Sequence, residues 1–316
     1  MNNRTTASRE AGANPNLHRF AILVACLTVV LLIAGALVTS NEAGDSVPDW
    51  PLSFGRWLIA SEHFRASVRY EYSHRFIAGV VGVATLLLVG LTYLLEKRAW
   101  MRRLSMIAFV GVVLQALIGG LRIHFPEYKP LIAVPHALVA QSFFGLLVAI
   151  AVFTSRSWVA RNEVKADDGH PALRRMTVVT VGAVLVQLVL GAGFRHGAFG
   201  IIPHVVGAVA VTILIISTAV VVLRRYSTDS FLARPARLSL LFLVLQLALG
   251  AGAYFARLKS VGDPQPLEPM ISLTAGHVVV GALTLASVVL LTLRCHRALA
   301  SENEAVARAS GIHAAA

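Results

Sequence analysis

The sequence predicts an all-α, polytopic membrane protein: eight transmembrane helices arranged as two pseudo-symmetric four-helix bundles. Three observations predict it. The chain is 56% hydrophobic and 14% charged, with a mean hydropathy of +0.71, whereas soluble proteins carry about 25% charged residues. Eight apolar runs are long enough to cross a bilayer, which takes roughly 20 residues each. Finally, one short pattern recurs in the third, fifth and seventh runs. The formal net charge of +12 does not point to nucleic acid, because the positive residues cluster between apolar runs. The partner it implies is the lipid bilayer.

In chain order, residues 1–18 form a polar tail without the short apolar stretch and small-residue cleavage site of a signal peptide. The runs follow at 19–39, 71–95, 103–123, 132–155, 173–193, 203–223, 236–256 and 272–293. They group into an N-terminal bundle (19–155), a linker (156–172), a C-terminal bundle (173–295) and a tail (296–316). Glu96-Lys97-Arg98 with Arg102-Arg103, Arg156 to Arg175, and Arg224 to Arg237 mark the turns on one side. With both termini cytoplasmic, 19 of the 28 Lys and Arg fall inside, as the positive-inside rule requires. The acidic residues divide evenly and do not discriminate. Cys26 lies in the first run and Cys295 at the end of the last, too far apart to predict a disulfide or a cysteine metal site.

The first outer loop is long and patterned: Asn41-Glu-Ala-Gly44-Asp45-Ser-Val-Pro48-Asp49-Trp50-Pro51-Leu-Ser-Phe-Gly55. It reads either as a plain interfacial loop or as a lid over a site. The repeat comes next. Gln115-Ala-Leu-Ile-Gly119-Gly120, Gln187-Leu-Val-Leu-Gly191-Ala-Gly193 and Gln246-Leu-Ala-Leu-Gly250-Ala-Gly252 end near Arg122, Arg195 and Arg257. The first run is a worn copy that keeps Gly35. Each copy is followed by an outer loop and a helix opening with a histidine: His74, His136, His204 or His277. Pro135 and Pro203 precede two of them, a position suited to a helix's first turn. The glycines admit two readings, close helix packing or clearance for a flat macrocycle. Gly207 and Gly281 share a helix face with His204 and His277.

A lone histidine at a helix end is ordinarily an interfacial residue. Four at equivalent places are different, since burying an imidazole in a bilayer is costly. Facing pairs could hold two hemes by axial nitrogen ligation. Zinc would want three or four ligands in one cluster, and the repeat supplies them in twos. His18, His63, His170, His296 and His313 lie in loops or tails, and His124 and His196 read as interfacial or, less favoured, as contacts to a ligand's polar edge. Arg122, Arg195 and Arg257 stand level with the four histidines, as propionate contacts or as snorkelling cations. Glu71 opens the second run three residues before His74. It could accept a proton or stabilise positive charge at a porphyrin edge. It could equally be a helix-terminal carboxylate or a salt-bridge partner of Arg75. No other histidine helix starts with such a residue, so the N-terminal half is expected to react and the C-terminal half to bind.

At this point the residues resemble a family. Gly35, the Pro48-Asp49-Trp50-Pro51 loop through Gly55, Glu71-Tyr-Ser-His74-Arg75, the Gln-x-x-x-Gly helices and His136, His204 and His277 are similar to those of heme A synthases. The resemblance implies two four-helix bundles in a plasma (inner) membrane. It also implies oxidation of the C8 methyl of heme O to a formyl group, for cytochrome oxidase. His74 and His136 would then flank the substrate heme O, His204 and His277 would ligate a resident heme b, and Glu71 would be the essential carboxylate. Some members carry a cysteine pair in the first outer loop; here Ser46 and Ser53 stand in that region. The proline-rich segment Asp263-Pro-Gln-Pro266 before the last helix has no clear family geometry. Partners implied are a heme O synthase, an electron acceptor and further copies of the chain.

Two rival functions fit some of these features. A non-catalytic di-heme b electron carrier accounts for the histidines but not for Glu71 or the long loop. A transporter or heme-handling chaperone accounts for the repeat, although no run carries a charged midplane site.

Overall fold

The computed structural model describes residues 13–167, 169, 171–259 and 268–300. The Asp263-Pro-Gln-Pro266 segment, His170, His313 and most of both tails lie outside the described residues. Eight helices are long and apolar enough to cross a membrane: α1 (Pro15–Ser40), α2 (Val68–Leu95), α3 (Ala99–His124), α4 (Lys129–Thr154), α5 (Leu173–Arg195), α6 (Ile201–Arg225), α7 (Ser230–Lys259) and α8 (Glu268–Ala298). The chain is a multi-pass membrane protein.

Local chemistry explains several helix ends. Asn14 caps α1 by accepting from the N–H groups of Asn16 (3.0 Å) and Leu17 (3.2 Å), with Pro15 in the first turn. Asp167 does the same for α5, accepting from Leu173 (2.9 Å) and Arg174 (3.0 Å). Polar side chains inside the spans satisfy themselves on their own helix. Thr28, Thr85, Thr92, Thr180 and Thr284 each donate to the carbonyl four residues earlier at 2.7–2.8 Å. All the helices except α5 begin earlier than their apolar runs, because backbone hydrogen bonding continues through residues such as Lys129 and Ser230 that hydropathy discounts. Pro135 is therefore inside α4 rather than in its first turn, and Pro235 is inside α7. Packed neighbours tolerate such prolines in membrane helices.

Consecutive helices pair as α1–α2, α3–α4, α5–α6 and α7–α8. Contacts α2–α3 and α1–α4 close the first four into a ring, and α6–α7 and α5–α8 close the second. The rings meet through α1–α8, α4–α8 and α4–α5. Helix α8 serves both cores. Ala282 and Ala286 pack into the cluster built on Val24, Leu88, Met101 and Leu147, while Leu285 and Val288 pack with Val184, Val211 and Ile215. Large apolar side chains on the outward faces, such as Leu94, Ile107, Val206 and Val244, stay exposed to lipid.

At the end remote from the four histidines, the halves are tied by polar contacts. Lys165–Ala166 and Leu299–Ala300 form a two-residue parallel strand pair. Arg161 binds Asp229 through both carboxylate oxygens at 3.3 and 2.8 Å, and Arg297 donates to the Arg161 carbonyl at 2.7 Å. Arg98 joins Glu96 (2.6 Å) to the Phe153 carbonyl (3.0 Å), fastening α2 to α4. Cys26 is exposed and Cys295 buried, both as free thiols.

Candidate functional site

All four repeat histidines lie near the same end of the molecule, each on the second helix of a hairpin. Each imidazole rests on a glycine of the preceding helix. A Cβ added at Gly35 would stand 3.0 Å from Cε1 of His74; at Gly119, 3.2 Å from that of His136; at Gly191, 2.9 Å from that of His204; and at Gly250, 2.8 Å from that of His277. These are seats with no room for a methyl group. The glycine four residues after each glutamine is thus explained by the ring it carries.

The glutamine fixes the same histidine from a second direction. Gln115 and Gln187 donate from Nε2 to the carbonyls of His136 and His204, both at 2.9 Å, and Gln187 Nε2 is also 3.0 Å from His204 Nδ1. His277 Nδ1 donates to the Gln246 carbonyl at 3.1 Å. That bond places the proton on Nδ1, and the Nε2 lone pair accepts from Gln246 Nε2 at 3.3 Å, a bond that an incoming ligand would replace. Gly207 and Gly281 also make room for the glutamines of the preceding helix. A Cβ at Gly207 would strike Gln187 Oε1, and one at Gly281 would stand 3.1 Å from Gln246 Nε2. Sequence spacing places these glycines on the histidine's face but does not reveal the glutamine that the next helix presents there.

The rings of His204 and His277 have centroids 6.2 Å apart and planes 85° to each other. Metal–nitrogen bonds of about 2 Å on opposite faces of one metal set two imidazole centres about 6 Å apart. The C-terminal pair therefore has the ring separation of two axial imidazoles. In the N-terminal half, His136 lies within electrostatic reach of His74, Arg122 and His196. Buried atoms without a hydrogen-bond partner gather here: Nδ1 of His74 and of His136, and Oε1 of Gln115, Gln187 and Gln246. Buried polar atoms are normally paired; these orphans belong to the histidines and glutamines of the repeat in both halves. Among the described residues, no three His, Cys, Asp or Glu side chains gather as a bare metal-ion cluster.

Glu71 is buried, at 5% exposure, and both its oxygens are engaged. Oε2 accepts from the N–H groups of Ser46 (2.8 Å) and Val47 (2.9 Å) and from Ser46 Oγ (3.0 Å). Oε1 accepts from Arg75 Nη2 at 2.5 Å. Arg75 in turn donates to the carbonyls of Asp49 (2.6 Å), Leu52 (3.0 Å) and Val47 (3.3 Å). The pair thus staples the first long loop onto α2. The loop's own turn is held by Asp49, which accepts from Phe54 and Gly55 N–H, both at 2.7 Å. Partial burial pushes the Asp49 carboxyl up. The Gly55 and Phe54 amides, with the charge of Arg75, outweigh this and hold it below the usual carboxylate value. Held this way, the loop lays the Trp50 indole on Gly120, the residue after the His136 seat. Ser46 has one hydroxyl hydrogen, which lies between two acceptors, Glu71 Oε2 at 3.0 Å and the Ala43 carbonyl at 2.8 Å.

The three arginines diverge. Arg122 lies against Gly44 with Nη2 3.5 Å from Asp45, and within electrostatic reach of both His74 and His136. Arg195 crosses to the first half and donates to Ser40 Oγ at 2.9 Å. Arg257 sits over the Phe194 ring at 5.6 Å, and that ring stacks beside His204. His196, read from sequence as interfacial, is instead drawn inward among Arg195, Arg122 and Lys129. The repeat concealed this, because no equivalent histidine follows Arg257.

Fold and site together define a multi-pass membrane protein with two histidine pairs on glycine seats. A family model described as "cytochrome oxidase assembly protein" (COX15-CtaA) matches residues 18–203, more than half of the chain. The chain belongs to that family. A heme A synthase of Exiguobacterium sibiricum is 26% identical over 186 residues, covering 58% of this chain and 60% of that protein. One of Exiguobacterium sp. AT1b is 25% identical over 239 residues, covering 71% and 78%. One of Geobacillus kaustophilus is 29% identical over 145 residues, covering 44% of each. The chain thus spans less than two thirds of the length of several curated relatives it matches, and His204 and His277 both lie beyond the family match.

Proposed function

We propose that this protein is a heme A synthase that oxidises the C8 methyl of heme O to a formyl group, for cytochrome oxidase biogenesis. The observation that carries the reading is the fourfold glycine-seated histidine, with one pair already at the spacing of axial ligands. His74 and His136 hold the substrate heme O in the N-terminal half. His204 and His277 hold a resident heme b, which when bound supplies a one-electron redox centre. Arg122, Arg195 and Arg257 are assigned to the propionates. The four histidines face outward from a plasma (inner) membrane, with both termini cytoplasmic.

Methyl to aldehyde is a four-electron oxidation that takes its oxygen from outside the substrate, so an external electron acceptor is required. Two hydroxylations at the methyl carbon give a geminal diol, which loses water. Within this scheme Glu71 is the catalytic carboxylate beside the His74 ligand. Held in place by Ser46, Val47 and Arg75, it would stabilise positive charge developing at the porphyrin edge. The stapled loop, with Trp50 on Gly120, covers the reacting half and limits water. Heme O enters from the lipid with its farnesyl tail outside the bundle.

The test is pigment extraction after expression with a heme O synthase. Wild type should yield heme A, and Glu71→Gln should retain bound heme without the formyl product. Wild-type heme A from Glu71→Gln would remove Glu71 from the chemistry. Heme bound by wild type without any heme A would leave a di-heme electron carrier.

A further inference from the structure

The second arginine of the repeat does not stay in its own bundle. Arg195 ends α5, yet its guanidinium bonds Ser40 at the end of α1, a side chain buried in the first half. The next residue, His196, lies within electrostatic reach of Arg122 and Lys129, both from the first half, and of His136. Burial, then Arg195, Arg122 and Lys129, push the His196 imidazole down to about 4. Arg122 has a buried Nε with no hydrogen-bond partner. The acid at this junction is Asp45. It is half-exposed, 3.5 Å from Arg122 Nη2 and 3.1 Å from Lys129 Nζ. Arg122 and Lys129 thus share one half-exposed carboxylate, and Arg195 and His196 reach the same junction from the second half, beside His136. Largely buried guanidinium donors, such as those of Arg122 (side chain 17% exposed), are costly unless an anion completes them. The planar forks of two arginines suit a carboxylate.

We propose that Arg122, Arg195 and His196 form a carboxylate-binding site across the two halves. It takes a propionate of the porphyrin held by His74 and His136. The second bundle thereby supplies part of the first bundle's binding site, rather than each arginine serving its own half. This rests on the porphyrin reading given above. Arg195 is also within electrostatic reach of His277, on the second half.

The test uses the full-length chain, prepared without heme and titrated with hemin or with hemin dimethyl ester, whose carboxylates are masked. A His277→Ala background leaves the N-terminal pair as the one complete site. There Arg195→Gln and His196→Gln should each weaken hemin binding by about tenfold or more and leave the ester unaffected. Arg69→Gln, which alters an exposed cation bonded to Tyr70, should change neither. The ester titration also reports folding, since a collapsed site would lose both ligands. If Arg195→Gln weakens hemin only in a His74→Ala background, the arginine serves its own half and the proposal is overturned. Equal wild-type affinity for hemin and its ester would also overturn it while sparing the porphyrin reading. Binding of neither ligand by wild type would overturn both.

Discussion

The His277 imidazole rests on the bare Cα of Gly250, its Cε1 2.8 Å from where a Cβ would stand. The same relation joins His204 to Gly191, at 2.9 Å. A methyl group at either seat must push the ring away from its partner across the pocket. Gly250→Ala should therefore lower heme retention and cost about 1–3 kcal/mol of stability by overpacking. Gly79→Ala is the comparison, because its added Cβ meets nothing within 4 Å. Heme-to-protein ratio and thermal unfolding in detergent read both; equal effects of the two substitutions would deny the seat.

Arg75 holds the first loop through three backbone carbonyls and through Glu71. Its replacement by Gln should leave a buried carboxylate without its cation, a loss of about 3–5 kcal/mol. The change should be local. Amide hydrogen exchange should accelerate over 46–56 and at Trp50, with α5 to α8 unchanged. Protection of the loop at wild-type level in Arg75→Gln would show that the staple carries no weight.

The Asp49 carboxyl is held below its ordinary value of 3.8, so its contribution has a definite sign. Its bonds to Phe54 and Gly55 are fully present above that ordinary value and are lost as pH falls through the lower folded value. After correction for intrinsic rates, exchange at those two amides should stay slow at neutral pH and rise only on strong acidification. Asp49→Asn should raise it at every pH. A rise already complete near pH 6 would contradict the assignment.

At the opposite end, Asp229 is 7% exposed and bonds Arg161 at 2.8 Å and Lys165 at 3.3 Å. Asp229→Ala should destabilise the protein by about 3–5 kcal/mol and leave the heme spectrum unchanged once folded. Altered heme ligation in that variant would mean that the two ends are coupled more tightly than the contacts imply.

The spans were legible because a bilayer demands length and apolarity, and those are properties of a continuous stretch of chain. Their starts were less so: Lys129 and Ser230 lie within helices although hydropathy discounts them. The histidines were legible through repetition, and Gln115, Gln187 and Gln246 were visible as part of the same pattern. The partner of each glycine was not. Spacing reports which residues share one helix face, whereas the ring on Gly191 and the amide on Gly207 come from a neighbouring helix. The Glu71–Arg75 pair was legible from its i,i+4 spacing, but the bonds of Arg75 to the loop carbonyls and the inward turn of His196 were hidden for the same reason. The first depends on a loop more than twenty residues away, and the second on packing between the two bundles.

The central claim is that glycine-seated histidines grip iron porphyrins in pairs, and counting heme in purified His277→Ala tests it most directly. The account predicts loss of the low-spin bis-imidazole signal of one heme, with the N-terminal site still able to bind. Wild-type heme content and an unchanged low-spin spectrum in His277→Ala would contradict it.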